Sequence, residues 1–298
     1  MRKSFAALPL LPLFLLLGIS VANGEDESAM IWVAEGDSNR VYLMGSIHVL
    51  REQDHPLPDI VGTVYNNAER LIMEIDMDDI DPFAALQYLM KNGVLQGDAT
   101  LRDVMGEKMY AEAQASAAEI DIPIEMLDKS EPWLAAMTVQ EMITMRIGFK
   151  AEFGIEMYLM GKAVADGKPI TGLETIEQQL GFLDGLSQDT QSRWLLQSLA
   201  EGQRMEMLID EMVAAWRVGD VQFLESELLL EMDTYPELHE AILVDRNKSW
   251  VAPIMDLLDD QDDYLVIVGA AHLVGDQGVP DLLSKQGVRI KQLHEPVR

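Results

Sequence analysis

The sequence contains no cysteine, which rules out a disulfide framework and a lipid anchor on a cysteine thiol. It is poor in basic residues: 22 Lys and Arg stand against 51 Asp and Glu, a formal charge of −29. A surface that negative repels phosphate backbones, so nucleic acid is not an expected partner. The acidic balance reads as a solvated surface that keeps the chain soluble, and it names no substrate. Aromatic residues make up only 6% of the chain, too few to suggest a stacking platform for sugars. Beyond the N-terminal segment no apolar run is long enough to span a bilayer. With 48% hydrophobic and 24% charged residues, the chain is not of disordered composition. A chain without disulfides has to be held by its core, and this one is long enough to bury one.

The N-terminus has the layout of a secretory signal peptide. Arg2 and Lys3 give a positive start, Leu10 to Leu17 an apolar run broken by Pro12, and Ala22-Asn23-Gly24 a small-residue end. The prolines and the acidic Glu25-Asp26-Glu27 that follows disfavour a retained membrane span. The expectation is a signal peptide over residues 1–24, an exported protein that is periplasmic or secreted, and one α/β domain with helical elaborations over residues 25–298.

Within that domain, Ile31 to Ala34 and Val41 to Met44 are short β-type runs joined by turn formers, which predicts a hairpin. Apolar positions at Ile60, Val61, Val64 and Ala68 have helical spacing, and Leu71 to Ile75 reads as the next strand, a βαβ pattern. Residues 81–167 are predicted as helices over Phe83 to Lys91, Met105 to Ile120, Glu131 to Met145 and Phe153 to Asp166. A short strand follows near 168–173, with Thr175 as a helix N-cap. Further helices are expected over Asp189 to Arg217, Val221 to Met232, Pro236 to Leu243 and Asn247 to Leu258. Tyr264 to Val268 is the clearest strand, a continuous apolar run of the kind buried on both faces. A short helix over Pro280 to Gln286 and an edge strand over Val288 to Leu293 close the chain. The fold class is therefore α/β, a central mixed sheet of about six strands with helices on both faces and large helical insertions. The 19 methionines recur at helical spacings such as Met142, Met145, Met157 and Met160, which suits core filling rather than metal-thioether chemistry.

Four ionisable side chains fall at the ends of predicted strands: His48 in Gly45-Ser46-Ile47-His48, Glu74 in Leu71-Ile72-Met73-Glu74, Glu174 in Gly172-Leu173-Glu174, and His272 in Gly269-Ala270-Ala271-His272. In open α/β sheets ligands bind in the crevice beyond the strand ends. Each histidine follows an apolar strand and then Gly-x-x, where a glycine lets the chain turn off the strand with no Cβ in the way. Two histidines with one or two carboxylates are a common ligand set for a divalent transition metal. Any one Gly-x-x-His is weak, since a lone histidine after a strand is usually structural. The pair, with two strand-end acids, points to an active site. His55, His239 and His294 lack that context and read as surface residues. Arg246 ahead of Trp250 reads as an ion pair, with a strand-end Glu or a substrate carboxylate, and Asn247 as a helix cap.

These residues resemble the TraB/GumN family, which includes the TIKI metalloproteases. The resemblance rests on Val41-Tyr42-Leu43-Met44-Gly45-Ser46-Ile47-His48-Val49, on 167–175 with Gln178 and Gln179, on Asp245-Arg246-Asn247-Lys248-Ser249-Trp250, and on 268–275. It implies a fold similar to erythromycin-esterase-like and ChaN-like proteins. It also implies a metal-dependent peptidase site with manganese or cobalt more than zinc. By that resemblance His48 and His272 match the motif histidines, Glu74 the acid after the next strand, and Arg246 the basic residue of the Arg-Asn motif. Ser46 stands where many relatives have Thr, which keeps the hydroxyl.

The resulting expectation is a metal-dependent hydrolase acting on a peptide or protein. His48, His272 and Glu74 would hold the metal, Glu74 or Glu174 would activate its water, and Arg246 would steady developing negative charge. Two alternatives remain open: a metal-free esterase-like hydrolase with His48 as general base oriented by a carboxylate, and a non-catalytic protein that binds a peptide or other ligand in the same crevice.

Overall fold

The computed structural model of the chain describes residues 28–232 and 234–294; the expected signal segment, residues 1–24, lies outside them. Six strands form one mixed sheet: β1 (Ile31–Glu35), β2 (Arg40–Ser46), β3 (Arg70–Ile75), β4 (Ile170–Glu174), β5 (Tyr264–Gly269) and β6 (Ile290–Gln292), in the order β4-β3-β5-β2-β1-β6. β2, β5, β3 and β4 run parallel, while β1 is antiparallel to both β2 and β6. β5, between β2 and β3, is buried at every residue, which is why it is a continuous apolar run rather than an alternating one. The first two strands form the expected hairpin, and β6 is the expected edge.

The sheet's register makes the site. Ser46 of β2 pairs with Gly269 of β5, and Met73 of β3 with both Ile267 of β5 and Gly172 of β4. The C-terminal ends of four parallel strands therefore share one edge, and His48, Glu74, Glu174 and His272 all leave the sheet there. The main core packs both sheet faces against side chains from the helices Asp59–Asn67, Ile155–Asp166, Met205–Val218, Asp245–Leu258 and Val279–Lys285. A second apolar cluster joins residues 101–143 to Leu195 and Leu199, and Met205 packs against both clusters. Among the described residues, no helix is long and apolar enough to cross a membrane.

Three helical segments differ from the expectation. The helix predicted over Met105 to Ile120 is Glu107–Glu119, but a short helix that was not expected, Leu101–Met105, precedes it, separated by Gly106, whose φ of 76° is left-handed. The run predicted over 189–217 is two helices, Gln188–Ala200 and Met205–Val218. In the turn between them a Cβ on Gly202 would sit 2.9 Å from the Cδ1 atoms of Ile120 and Ile143. The apolar period runs on across this turn because each helix faces a core, so periodicity alone gave no break. Conversely, the helices predicted to stop at Leu243 and restart at Asn247 are continuous. Pro236–His239 passes through a π turn, Glu240–Val244, directly into Asp245–Leu258, and such widened turns are frequent at functional sites.

Candidate functional site

His48 lies just beyond β2, and Glu156 faces it from the first turn of the helix Ile155–Asp166. Nδ1 of His48 is 2.6 Å from Oε1 of Glu156, and the Ser46 hydroxyl donates to the same oxygen. Nδ1 therefore carries the proton toward Glu156, which leaves Nε2, beside Gly269, as the ring nitrogen turned away from that acid. The imidazole is 66% exposed while the Glu156 carboxylate is 15% exposed, so the ring presents a free edge and the acid behind it is sheltered. Glu156 is the main cause of a rise in the His48 pKa to about 9. Burial works to raise the Glu156 carboxyl, but its contacts with His48 and Ser46 outweigh this and hold it below the usual range.

The approach of that helix depends on glycine. A Cβ on Gly154 would lie 2.1 Å from the His48 carbonyl oxygen, and the Ile155 N–H donates to the Ile47 carbonyl at 3.2 Å. Only a residue without a side chain lets the helix start so close to the strand end. At Gly269 the backbone is ordinary, with φ −51°. The glycine there serves space rather than a turn, because a Cβ would come within 3.2 Å of His48 Nε2 and 3.3 Å of Glu74 Oε1. The expectation that this glycine frees the backbone is corrected to one of clearance between the His48 and Glu74 side chains.

Behind His48 lies a buried polar network centred on Arg246. Its Nη2 donates to Glu74 Oε2 at 2.5 Å and to Glu174 Oε2 at 2.9 Å. Its Nε reaches Glu174, and its Nη1 reaches the Ile242 carbonyl and His272 Nε2, each at 3.1 Å. Glu74 also accepts from the Gly269 N–H at 2.6 Å and from Gln179 at 2.9 Å, and Glu174 from the Trp250 indole at 2.9 Å. All five guanidinium hydrogens thus have acceptors. The expected role of Arg246 in steadying charge on a substrate is corrected accordingly: its donors are spent inside the protein, and its side chain is 9% exposed.

His272 is buried, its ring 4.5 Å from that of Trp250. Burial lowers its pKa to about 3, so it is neutral. Nδ1 meets the side-chain oxygen of Asn247 at 2.6 Å, which places the proton on Nδ1 and the lone pair on Nε2, aimed at Arg246. Asn247 is not the expected helix cap: it lies inside the first turn of Asp245–Leu258, buried, and its amide nitrogen donates to the Gln277 carbonyl. Burial would raise the Glu74 carboxyl, but His272, His48, Arg246 and the Gly269 N–H outweigh it and bring it down to about 2. With His272 neutral, His48 and Arg246 are the cations that hold Glu74 ionised. Thr175 caps its helix as expected, accepting from the Gln178 N–H.

His48, His272 and Glu74, the expected metal ligands, do not fit as a ligand set in this arrangement. The one lone pair of His272 points into the Arg246 guanidinium, and Glu74 is bound to the same cation, so a positive group already stands where a metal would have to bind both. Among the described residues, no group of three or more His, Asp or Glu side chains could hold a metal ion.

A pocket of about 190 Å³ opens beside His48. Its wall carries His48, Glu74, Glu156 and Gln179 among Met73, Ile75, Met77, Ala151 and Met157. Glu156 and Gln179 are members of the site that the sequence reading did not assign. A Glu in the first turn of a helix ordinarily complements the helix dipole, which conceals its role. The available signal was Phe153-Gly154-Ile155-Glu156, a glycine directly before a helix whose second residue is an acid. Of the three histidines set aside, His55 is half-buried rather than on the surface, with Nε2 at 2.8 Å from the Phe153 carbonyl.

The TraB/PrgY/gumN family matches the chain over residues 30–292. Protein YbaP of Escherichia coli is 27% identical over 243 residues, 81% of this chain and 87% of its own length. A protein of Treponema pallidum is 24% identical over 274 residues, 86% of this chain and 80% of its own length. No solved structure matches the chain. With strand-end histidines, glutamates and the Arg-Asn pair gathered on one sheet edge, and the family match spanning nearly every described residue, the chain belongs to the TraB/PrgY/gumN family.

Proposed function

We propose that this protein is an exported hydrolase of acyl bonds, peptide or ester, in which the His48–Glu156 pair handles the proton. The observation that carries this reading is the 2.6 Å contact of a sheltered carboxylate with an imidazole whose far edge opens into a pocket. A carboxylate on Nδ1 fixes the tautomer and stabilises the imidazolium, which is what a histidine needs to act as acid and base in turn. In its neutral form Nε2 takes a proton from the attacking water as oxygen bonds to the carbonyl carbon. The imidazolium then returns that proton to the leaving amine or alkoxide as the acyl bond breaks. Glu74, Glu174, Arg246 and His272 form the rigid base that fixes the strand ends, with Gly269 keeping Glu74 clear of His48. Glu74, held ionised near pH 2, is too weak a base for this step, which singles out His48 among the titratable groups of the pocket. The signal-like segment at residues 1–24 supports export to the periplasm or beyond.

The test is turnover of a peptide panel and a p-nitrophenyl ester panel by the wild type, His48→Ala and Glu156→Gln, each with and without chelator. General acid–base groups contribute about 10²- to 10⁴-fold, so His48→Ala is expected to lose at least about 100-fold, and chelator to leave the wild type unchanged. Activity abolished by chelator and restored by manganese overturns the metal-free step and returns the metallopeptidase reading. Tight ligand binding with no turnover of either panel returns the binding-protein reading.

A further inference from the structure

We infer that the pocket beside His48 selects a neutral, apolar group of roughly six to eight carbons next to the scissile bond, either a Leu, Met or Phe side chain or a short acyl chain; the size follows from an apolar cavity of about 150 Å³ holding benzene. This rests on the hydrolase reading for the chemistry, but not for the binding.

The lining settles the class. Met73 and Ile75 come from the end of β3, Met77 from the segment after it, and Ala151 and Met157 from either side of Gly154. The charged groups in the wall are already in ion pairs, His48 with Glu156 and Glu74 with Arg246; Glu74 also accepts from Gln179 and the Gly269 N–H, and Glu156 Oε2, which has no hydrogen-bond partner, is buried away from the pocket's solvent. A carboxylate entering the pocket would find its one cation, His48, already paired with Glu156, and would face two ionised glutamates. An ammonium would find both glutamates neutralised by their own cations, and would lose its water in a wall that is otherwise apolar. A hydrocarbon group loses nothing on entry, and three methionine side chains let the wall adapt to branched, linear or aromatic shapes. At about 190 Å³ the space is filled by one such group, so the gain stops once the chain is longer than the pocket.

The experiment measures calorimetric affinities of the full chain for butanamide, hexanamide, decanamide, leucinamide and lysinamide, beside turnover of leucyl peptides and of the matching p-nitrophenyl esters. Burial of a methylene is worth about fourfold in affinity, so hexanamide is expected to bind about 15-fold tighter than butanamide, with little further gain for decanamide and leucinamide well ahead of lysinamide. Ala151→Trp, at an exposed position on the pocket wall, should erase the hexanamide advantage. Met157→Ala should move the optimum to longer chains, and it serves as the second reading should the tryptophan variant fold poorly. Equal affinities across the series, or lysinamide binding best, overturn the inference even if turnover is seen. Graded affinity without turnover upholds the pocket and sinks the hydrolase reading. Turnover of leucyl peptides identifies a peptide source for the group, and turnover of hexanoate esters alone an acyl source.

Discussion

Replacing Arg246 by methionine would remove the one cation that joins Glu74 and Glu174 inside the protein. The two carboxylate side chains are 12% and 6% exposed, so water cannot take over from the guanidinium. Glu74 would keep the Gln179 and Gly269 donors, and Glu174 only the Trp250 indole. Breaking a buried ion pair from one side costs about 3–5 kcal/mol, and for a chain of this size about 4 kcal/mol corresponds to a fall in Tm of roughly 8–16 °C. The pH dependence has a definite sign. In the wild type the Glu74 pKa is depressed to about 2, so its stabilising effect is present above the ordinary carboxylate range and is lost as pH falls toward 2. In the variant the Arg246 contribution is gone while His48 and the Gly269 N–H still lower the carboxyl against burial, so its pKa lies above the wild-type value and the deficit is smaller at pH 4 than at pH 7. Urea unfolding of the two proteins at both pH values measures this directly. The triple variant Arg246→Met, Glu74→Gln, Glu174→Gln should recover most of the loss, because no buried charge is left unpaired. A loss under about 1 kcal/mol, against the range expected for a broken buried pair, or a deficit that grows on acidification, would refute the reasoning.

Asn247→Ala would strand the buried Nδ1–H of His272, and an orphaned buried donor costs about 1–3 kcal/mol; unfolding with the Cm read against the wild type measures it, and an unchanged Cm would show that the asparagine orients nothing. Gly269→Ala would crowd His48 Nε2 and Glu74 Oε1 at 3.2 and 3.3 Å, so turnover should fall at least tenfold, about 1.4 kcal/mol in barrier, while Tm changes by only a few degrees; equal activity in the two proteins would remove the clearance argument. Manganese, cobalt or zinc at one equivalent should leave Tm unchanged, since Arg246 occupies the lone pair of His272; a rise of several degrees that disappears in a His48→Ala, His272→Ala variant would reinstate the ligand set.

The parts of the fold that the sequence made legible are those where one physical cause dominates. β5 was readable because burial on both faces demands an unbroken apolar run, and the hairpin because its turn formers sit between two such runs. The four strand-end residues could be gathered in advance because parallel strands necessarily share an edge. The pairing within that edge could not be read, because it depends on register and on side chains arriving from helices. Arg246 could be seen as an ion pair with a strand-end Glu, yet nothing in the sequence shows that it also takes the lone pair of His272 and thereby removes that residue from any ligand set. Asn247 resembled a cap because a helix was expected to restart there, whereas the π turn Glu240–Val244 carries the helix through and turns its amide toward His272. Glu156 was hidden in the same way, as an acid in a first turn where acids are common.

The most direct test of the central claim, that Glu156 holds His48 as the proton-handling group of the site, is an NMR titration of the His48 imidazole in the wild type and in Glu156→Gln. The contact at 2.6 Å predicts a wild-type pKa of about 9 that falls toward the ordinary histidine value of 6.5 when the carboxylate becomes an amide, with the rising limb of any hydrolytic activity, set by the neutral imidazole, moving down in step. A His48 that titrates at its ordinary value in both proteins would contradict the pairing and the proposed chemistry with it.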